Sequence, residues 1–201
     1  CIRDRSSRNP VEYAYVHDHD GIMFEVEHVD VAALDLEQPP ANDYRIRHVS
    51  LATGNMDTLL AFYSKLLGDQ KPRRVGRFFS ISGEKVDQVS GLPGSKLKMS
   101  WLQTRNLELE IVQYVSHPPR LAAEPRPVSA LGYNMIVFDV SDLEPARKLL
   151  LAAGGSVVRE VTAMDGGEIF FGRDPDGNLL GFQKTGAQAL VSSQNFKSNG
   201  L

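Results

Sequence analysis

The chain has 201 residues, 42% of them hydrophobic and 23% charged, with a formal net charge of −3. That length buries a proper core as one large domain or two small ones, and a weakly acidic balance without a Lys/Arg run gives nucleic acid nothing to grip. One cysteine excludes an internal disulfide framework and fits a reducing, cytoplasmic setting, while no apolar run approaches the roughly 20 residues of a membrane span.

The sequence opens at Cys1, and residues 1–9, charged and without periodicity, read as a tail on part of a longer chain. Tyr13-Ala14-Tyr15-Val16 and Ile22-Met23-Phe24-Glu25-Val26 flank Asp18-His19-Asp20-Gly21. Asp-Gly between β-rich runs signals a hairpin over Val11–Val31. His17-Asp18-His19-Asp20 has the residue types of a metal cluster, but its place on a turn makes a solvated tip the better reading. Residues 32–42, with Pro39-Pro40, read as a linker.

The strongest pattern lies over 44–114. A strand over Arg45–Ala52 puts Val49 and Leu51 on one face and His48 and Ser50 on the other. An amphipathic helix follows over Asp57–Leu67, its Leu59, Leu60, Phe62, Tyr63, Leu66 and Leu67 at helical spacing, and ends at Gly68. Strands are expected at Arg73–Ser82 and Leu97–Thr104, joined by the loop Gly83–Lys96, which reads either as a lid or as a plain connection. A closing strand over Leu107–Tyr114 sets Leu107, Leu109 and Ile111 against Glu108, Glu110, Val112 and Tyr114. The apolar faces want the helix, so a histidine and two carboxylates face whatever lies across the sheet. Residues 117–127 read as a second Pro-rich linker.

The order then repeats. Tyr133–Val140 reads as a strand, Asp142 to Ala153 as a helix stopped by Gly154-Gly155, and Ser156–Val161, Glu168–Gly172 and Asn178–Lys184 as strands. Residues from Thr185 on read as frayed. Asp18 to Glu25 matches Asp174 to Gly181 position for position, so the hairpin reads as the last two strands of a third unit. The expected organisation is an α+β fold. Residues 1–35 form the C-terminal half of a truncated β-α-β-β-β module, 43–117 and 128–185 complete modules, and 186–201 a tail. A half-module exposes a sheet edge, which predicts association.

Paired modules of this kind, with His48-Val49-Ser50-Leu51, Phe62-Tyr63-Ser64-Lys65-Leu66-Leu67-Gly68, Glu110 and Asp174-Pro175-Asp176-Gly177-Asn178, resemble the vicinal oxygen chelate superfamily. Glyoxalase I, methylmalonyl-CoA epimerase, extradiol dioxygenases and bleomycin- or fosfomycin-resistance proteins belong to it. The stretch from Val89 to Glu110 looks most like the epimerase and glyoxalase branch. The resemblance implies a cupped mixed sheet with helices on its outer face and, in the cup, a divalent metal (Zn, Mn, Fe, Co or Ni) that stabilises an enolate-like anion. It implies His48 and Glu110 as ligands, Glu25 as a third, and Glu110 or Glu108 as the proton-moving carboxylate. Met135 and Gly181 stand where a second His and Glu would be, so the site has either borrowed ligands or lost its metal. Trp101, Tyr114, Met135 and Gln183 are the candidates to line the cup and bind substrate. The plainer alternatives are a satisfied structural His48, core packing for Met135 and Trp101, and a rim position for Glu108.

The expected function is a cytoplasmic enzyme acting on a small oxygenated organic or thioester substrate by metal-assisted enolisation, isomerisation or lyase chemistry. The competing reading is a metal-free protein that sequesters an aromatic or drug-like ligand. An extradiol dioxygenase relative is a further alternative, although that branch takes a His and a Glu from its last module. Expected partners are a small-molecule substrate and a homodimer mate or a missing N-terminal segment, with no nucleic acid and no membrane.

Overall fold

The computed structural model describes residues 11–29, 46–75, 80–104, 106–119 and 126–192. The tail at 1–9 and the linker at 32–42 lie outside them. Strands β1 (Val11–His17) and β2 (Met23–Val29) form an antiparallel ribbon with Tyr13 opposite Glu27 and Tyr15 opposite Glu25. Asp18 Oδ1 fixes its turn by accepting from the backbone N–H of Asp20 and of Ile22, each at 2.9 Å. Residues 17–20 are exposed, as a solvated tip requires.

Next come β3 (His48–Ala52), α1 (Met56–Leu66), β4 (Arg73–Val75), β5 (Ile81–Ser82), α2 (Glu84–Ser90), β6 (Lys96–Gln103) and β7 (Glu108–Tyr114). Their sheet runs β3-β7-β6-β4, with β5 also on β6, and β3 and β7, the first and last strands of the unit in chain order, pair in parallel. Then follow β8 (Met135–Asp139), α3 (Leu143–Ala152), β9 (Ser156–Met164), β10 (Gly167–Arg173) and β11 (Leu179–Lys184), in the order β8-β11-β10-β9. Again the first and last strands, β8 and β11, are parallel. The architecture is α+β, with mixed sheets built twice on one plan.

Each main helix starts on a capping side chain. Asn55 accepts from the Thr58 N–H at 3.1 Å and Asp142 from the Glu144 N–H at 3.1 Å. The helices lie on the apolar faces of the two sheets, where Phe62, Leu109, Ile111, Leu150, Phe170, Leu180 and Phe182 join one buried cluster. The sheets therefore share a core on their helical side. Tyr63 adds a polar tie, donating at 2.8 Å to Asp174 Oδ2 in the turn before β11.

Three expectations are corrected. The stretch read as one strand over Arg73–Ser82 contains two short ones, β4 opposite Met99–Trp101 and β5 opposite Lys96–Leu97, with 76–79 outside the described residues. The connection read as a loop over Gly83–Lys96 holds α2, which buries none of its side chains and so leaves no apolar stripe in the sequence. Residues 185–192, read as frayed, are held. The Leu190 N–H donates to Asp165 Oδ2 at 2.7 Å, and the Val191 carbonyl accepts from Gln183 Nε2 at 3.1 Å.

Candidate functional site

The face of the first sheet turned away from α1 is set by strand register. Ser50 pairs with Glu110, Glu110 with Trp101, and Trp101 with Arg73, forming one row across four strands. Beside it runs a second row of His48, Glu108 and Gln103. The His48 and Glu110 side chains, 11% and 7% exposed, bring Nε2 and Oε2 to 3.6 Å. Ser50 Oγ donates to the same Glu110 oxygen. The buried His48 Nδ1 has no hydrogen-bond partner among the described residues, an open position for a polar atom that normally finds one. Burial raises the pKa of Glu110, against the opposing pull of Ser50, His48 and Arg47.

The hairpin lies across this face. Arg47 Nη1 donates to both Glu27 oxygens, at 2.8 and 2.7 Å, and its Nε lies 3.6 Å from Glu108 Oε2. Glu25, beside Glu27 on the same face of β2, is pushed up from an ordinary 4.5 to about 7. Burial is the main cause, a hydrogen bond with Tyr15 opposes it, and the charges of Glu27 and Glu110 add to it. Burial, together with Glu25 and the field of Glu110, raises the Tyr15 phenol as well. Tyr114, further along β7, is raised by burial and by Glu110.

The candidates thus fall into two groups. Glu25, His48, Glu108, Glu110, Trp101 and Tyr114 gather where the hairpin meets the first sheet. Met135 and Gln183 belong to the second sheet. There a Cβ on Gly181 would stand 3.2 Å from Val137, 3.3 Å from Ile169 and 3.5 Å from Met135, so little room is left at this position for a larger side chain. The Gln183 amide donates to Asp139 and to the Val191 carbonyl. Tyr15, Glu27, Arg47 and Arg73 enter the first group unannounced. Glu27 was legible from alternation with Glu25, and Tyr15 from the hairpin register that sets it opposite Glu25. In the expected strand Arg45–Ala52, alternation puts Arg47 on the face of Val49 and Leu51, but β3 starts only at His48 and Arg47 turns to the other side, while Arg73 depends on a long-range register.

The chemistry of the donors suits a divalent cation. An imidazole and a carboxylate stand 3.6 Å apart, and a second carboxylate, Glu25, resists ionisation chiefly because it is buried, with the charges of Glu27 and Glu110 adding to that. Among the described residues no three His, Cys, Asp or Glu side chains are grouped closely enough to hold an ion. What they supply is a pair with Glu25 facing it, not a closed set. Among the same residues no helix is long and apolar enough to cross a membrane.

Residues 45–182 match the family model described as glyoxalase/bleomycin resistance protein/dioxygenase superfamily. A search of curated proteins finds no match. A glyoxalase family protein from Bacillus cereus is similar in structure at 23% identity and a TM-score of 0.60, over 73% of this chain and 98% of that one. Glyoxalase I from Zea mays is similar at 18% identity and a TM-score of 0.55, over 87% of this chain and 54% of its own. At these identities the likeness is one of fold.

Proposed function

Because the chain belongs to the glyoxalase/bleomycin resistance protein/dioxygenase superfamily, we propose that it is a vicinal-oxygen-chelate-type enzyme. It acts on a small oxygenated organic or thioester substrate by enolisation, isomerisation or lyase chemistry. The observation that carries this reading is the buried His48–Glu110 pair facing Glu25. His48 and Glu110, with Glu25 facing them, would supply part of the ligand set of a divalent ion of the Zn, Mn, Fe, Co or Ni type, a set that the described residues alone do not close; such an ion, when bound, supplies Lewis-acid polarisation of substrate oxygens. The proton is carried by Glu110, whose burial disfavours its charged form and so makes it a stronger base than an exposed carboxylate. Ser50, by donating to Oε2, orients that carboxyl. Glu108 is engaged by both Arg47 and Arg73, which leaves Glu110 the better-placed proton carrier. A second copy of the chain or a further strand-and-helix segment would complete the cup beside β2, and the cytoplasm is the proposed setting.

Elemental analysis of the purified protein, with turnover followed before and after chelator, tests this. Stoichiometric metal in the parent and its loss in His48→Ala, with turnover falling on chelation, is the expected result. No metal in any preparation, with an aromatic ligand bound but not turned over, points instead to sequestration.

A further inference from the structure

Two arginines stand on the polar face of the first sheet, and they are engaged very differently. Arg47 is 22% exposed and its guanidinium is taken up by Glu27 and Glu108. Arg73 is 56% exposed. Its guanidinium carbon lies 4.4 Å from the centroid of the Trp101 ring, and Nη2 donates to Glu108 Oε1 at 3.0 Å. Among the described residues this side chain makes no other hydrogen bond. Arg74, the next residue, turns to the opposite face, where Nη1 lies 3.7 Å from Asp57 of α1.

Stacking on an indole fixes the plane of a guanidinium, and one carboxylate fixes its rotation within that plane. The remaining donors of the fork then point outward as a prepared receptor for a planar oxyanion. The register Arg73–Trp101–Glu110 puts this receptor in the row of Glu110, two strand spacings away, at about 4.8 Å each. Since Arg73 reaches back over Trp101 to touch Glu108 on β7, its tip lies closer to Glu110 than its backbone does. Resting on the enzymatic reading above for where the reacting carbon lies, the structure assigns to Arg73 the recognition of a negative group on the substrate. The substrate is an organic acid or a phosphate ester, its anion held on the Arg73–Trp101 platform while the reacting carbon faces Glu110. Trp101 serves from beneath, with one ring face occupied by the guanidinium.

Calorimetric titration of the whole protein with malonate, with its neutral diamide malonamide, and with inorganic phosphate tests the assignment, with and without chelator. Malonate binding in preference to the diamide identifies a carboxylate, and phosphate binding in preference to malonate a phosphate ester. In either case Arg73→Met weakens anion binding by roughly tenfold or more, and Arg73→Lys, which keeps the charge without the stacked fork, falls between. An unchanged urea midpoint in Arg73→Lys shows that the loss is not one of folding. Equal binding by Arg73→Met and the parent, or no anion binding by the parent, overturns the assignment. Because binding is read without turnover, an inactive or metal-free protein that still binds malonate through Arg73 refutes the enzymatic reading alone.

Discussion

Glu25 shows how a side chain's neighbours rewrite its chemistry. Its carboxyl is half-buried and faces Glu27 and Glu110, so the folded state holds its proton more tightly than the unfolded chain does. The sign follows directly. Stability is greatest below the unfolded value of 4.5 and is lost as pH rises through about 7. A shift of that size is about 3 kcal/mol at full value, reduced to about 1–2 kcal/mol by solvent screening of a half-buried group. In chelator-treated protein the urea midpoint is therefore expected to fall between pH 5 and pH 8. Glu25→Gln flattens that fall and is the more stable form at pH 8. Equal midpoints for parent and variant at both values would show that Glu25 is better solvated than its surroundings suggest. The Gly181 position carries the opposite lesson. Val137, Ile169 and Met135 lie within 3.2–3.5 Å of a Cβ built there, so a larger side chain at this position would have to push its neighbours aside by a few tenths of an ångström or more.

Among the elements, one tight point is the contact of β10 with α3. A Cβ on Gly172 would run into Leu150 and stand 2.7 Å from the Ser156 carbonyl oxygen on β9. Gly172→Ala is expected to cost about 1–3 kcal/mol, read as a lower thermal midpoint, since neither a strand backbone nor a fully buried leucine gives way easily. Tyr63→Phe removes the tie to Asp174 and costs about 1–2 kcal/mol; an unaltered midpoint would mean that water replaces the phenol. Elements of this kind were legible where periodicity was strong. The Leu59–Leu66 stripe, the Asn178–Lys184 strand and the repeat of their order made the paired-module plan readable, and the family followed from the resemblance of motifs such as His48 to Leu51 and Phe62 to Gly68. What escaped was decided by pairing rather than pattern. The α2 helix has no apolar stripe, and β4 and β5 divide a run of strand-like residues because β6 takes them at separate registers. His48, Glu108 and Glu110 could be placed on one face by counting alternate residues. For Arg47 the same counting gives the apolar face, because it assumes a strand that starts before His48, and Arg73 joins the row only through its pairing with Trp101, a register that no local rule fixes.

Across the molecule, the two sheets share a core through α1 and α3, while the hairpin reaches the first sheet through polar side chains such as the Glu27–Arg47 pair. An attachment of this sort opens more readily than a buried apolar contact. Arg47→Met is expected to speed amide exchange over 11–29 by roughly tenfold, leaving β10 and β11 protected as before; uniform exchange across the chain would show that the hairpin is anchored elsewhere. The parallel pairing of β3 with β7 has a further consequence. Ser50 and Glu110 are 60 residues apart in sequence, joining the first and last strands of their unit. Helices α1 and α3 can form from local contacts within about a microsecond, whereas the cup requires closure of the whole intervening loop, the slowest kind of contact for a chain to make. The Ser50–Glu110 contact is therefore a late product of folding, made only once the ends of the unit have met.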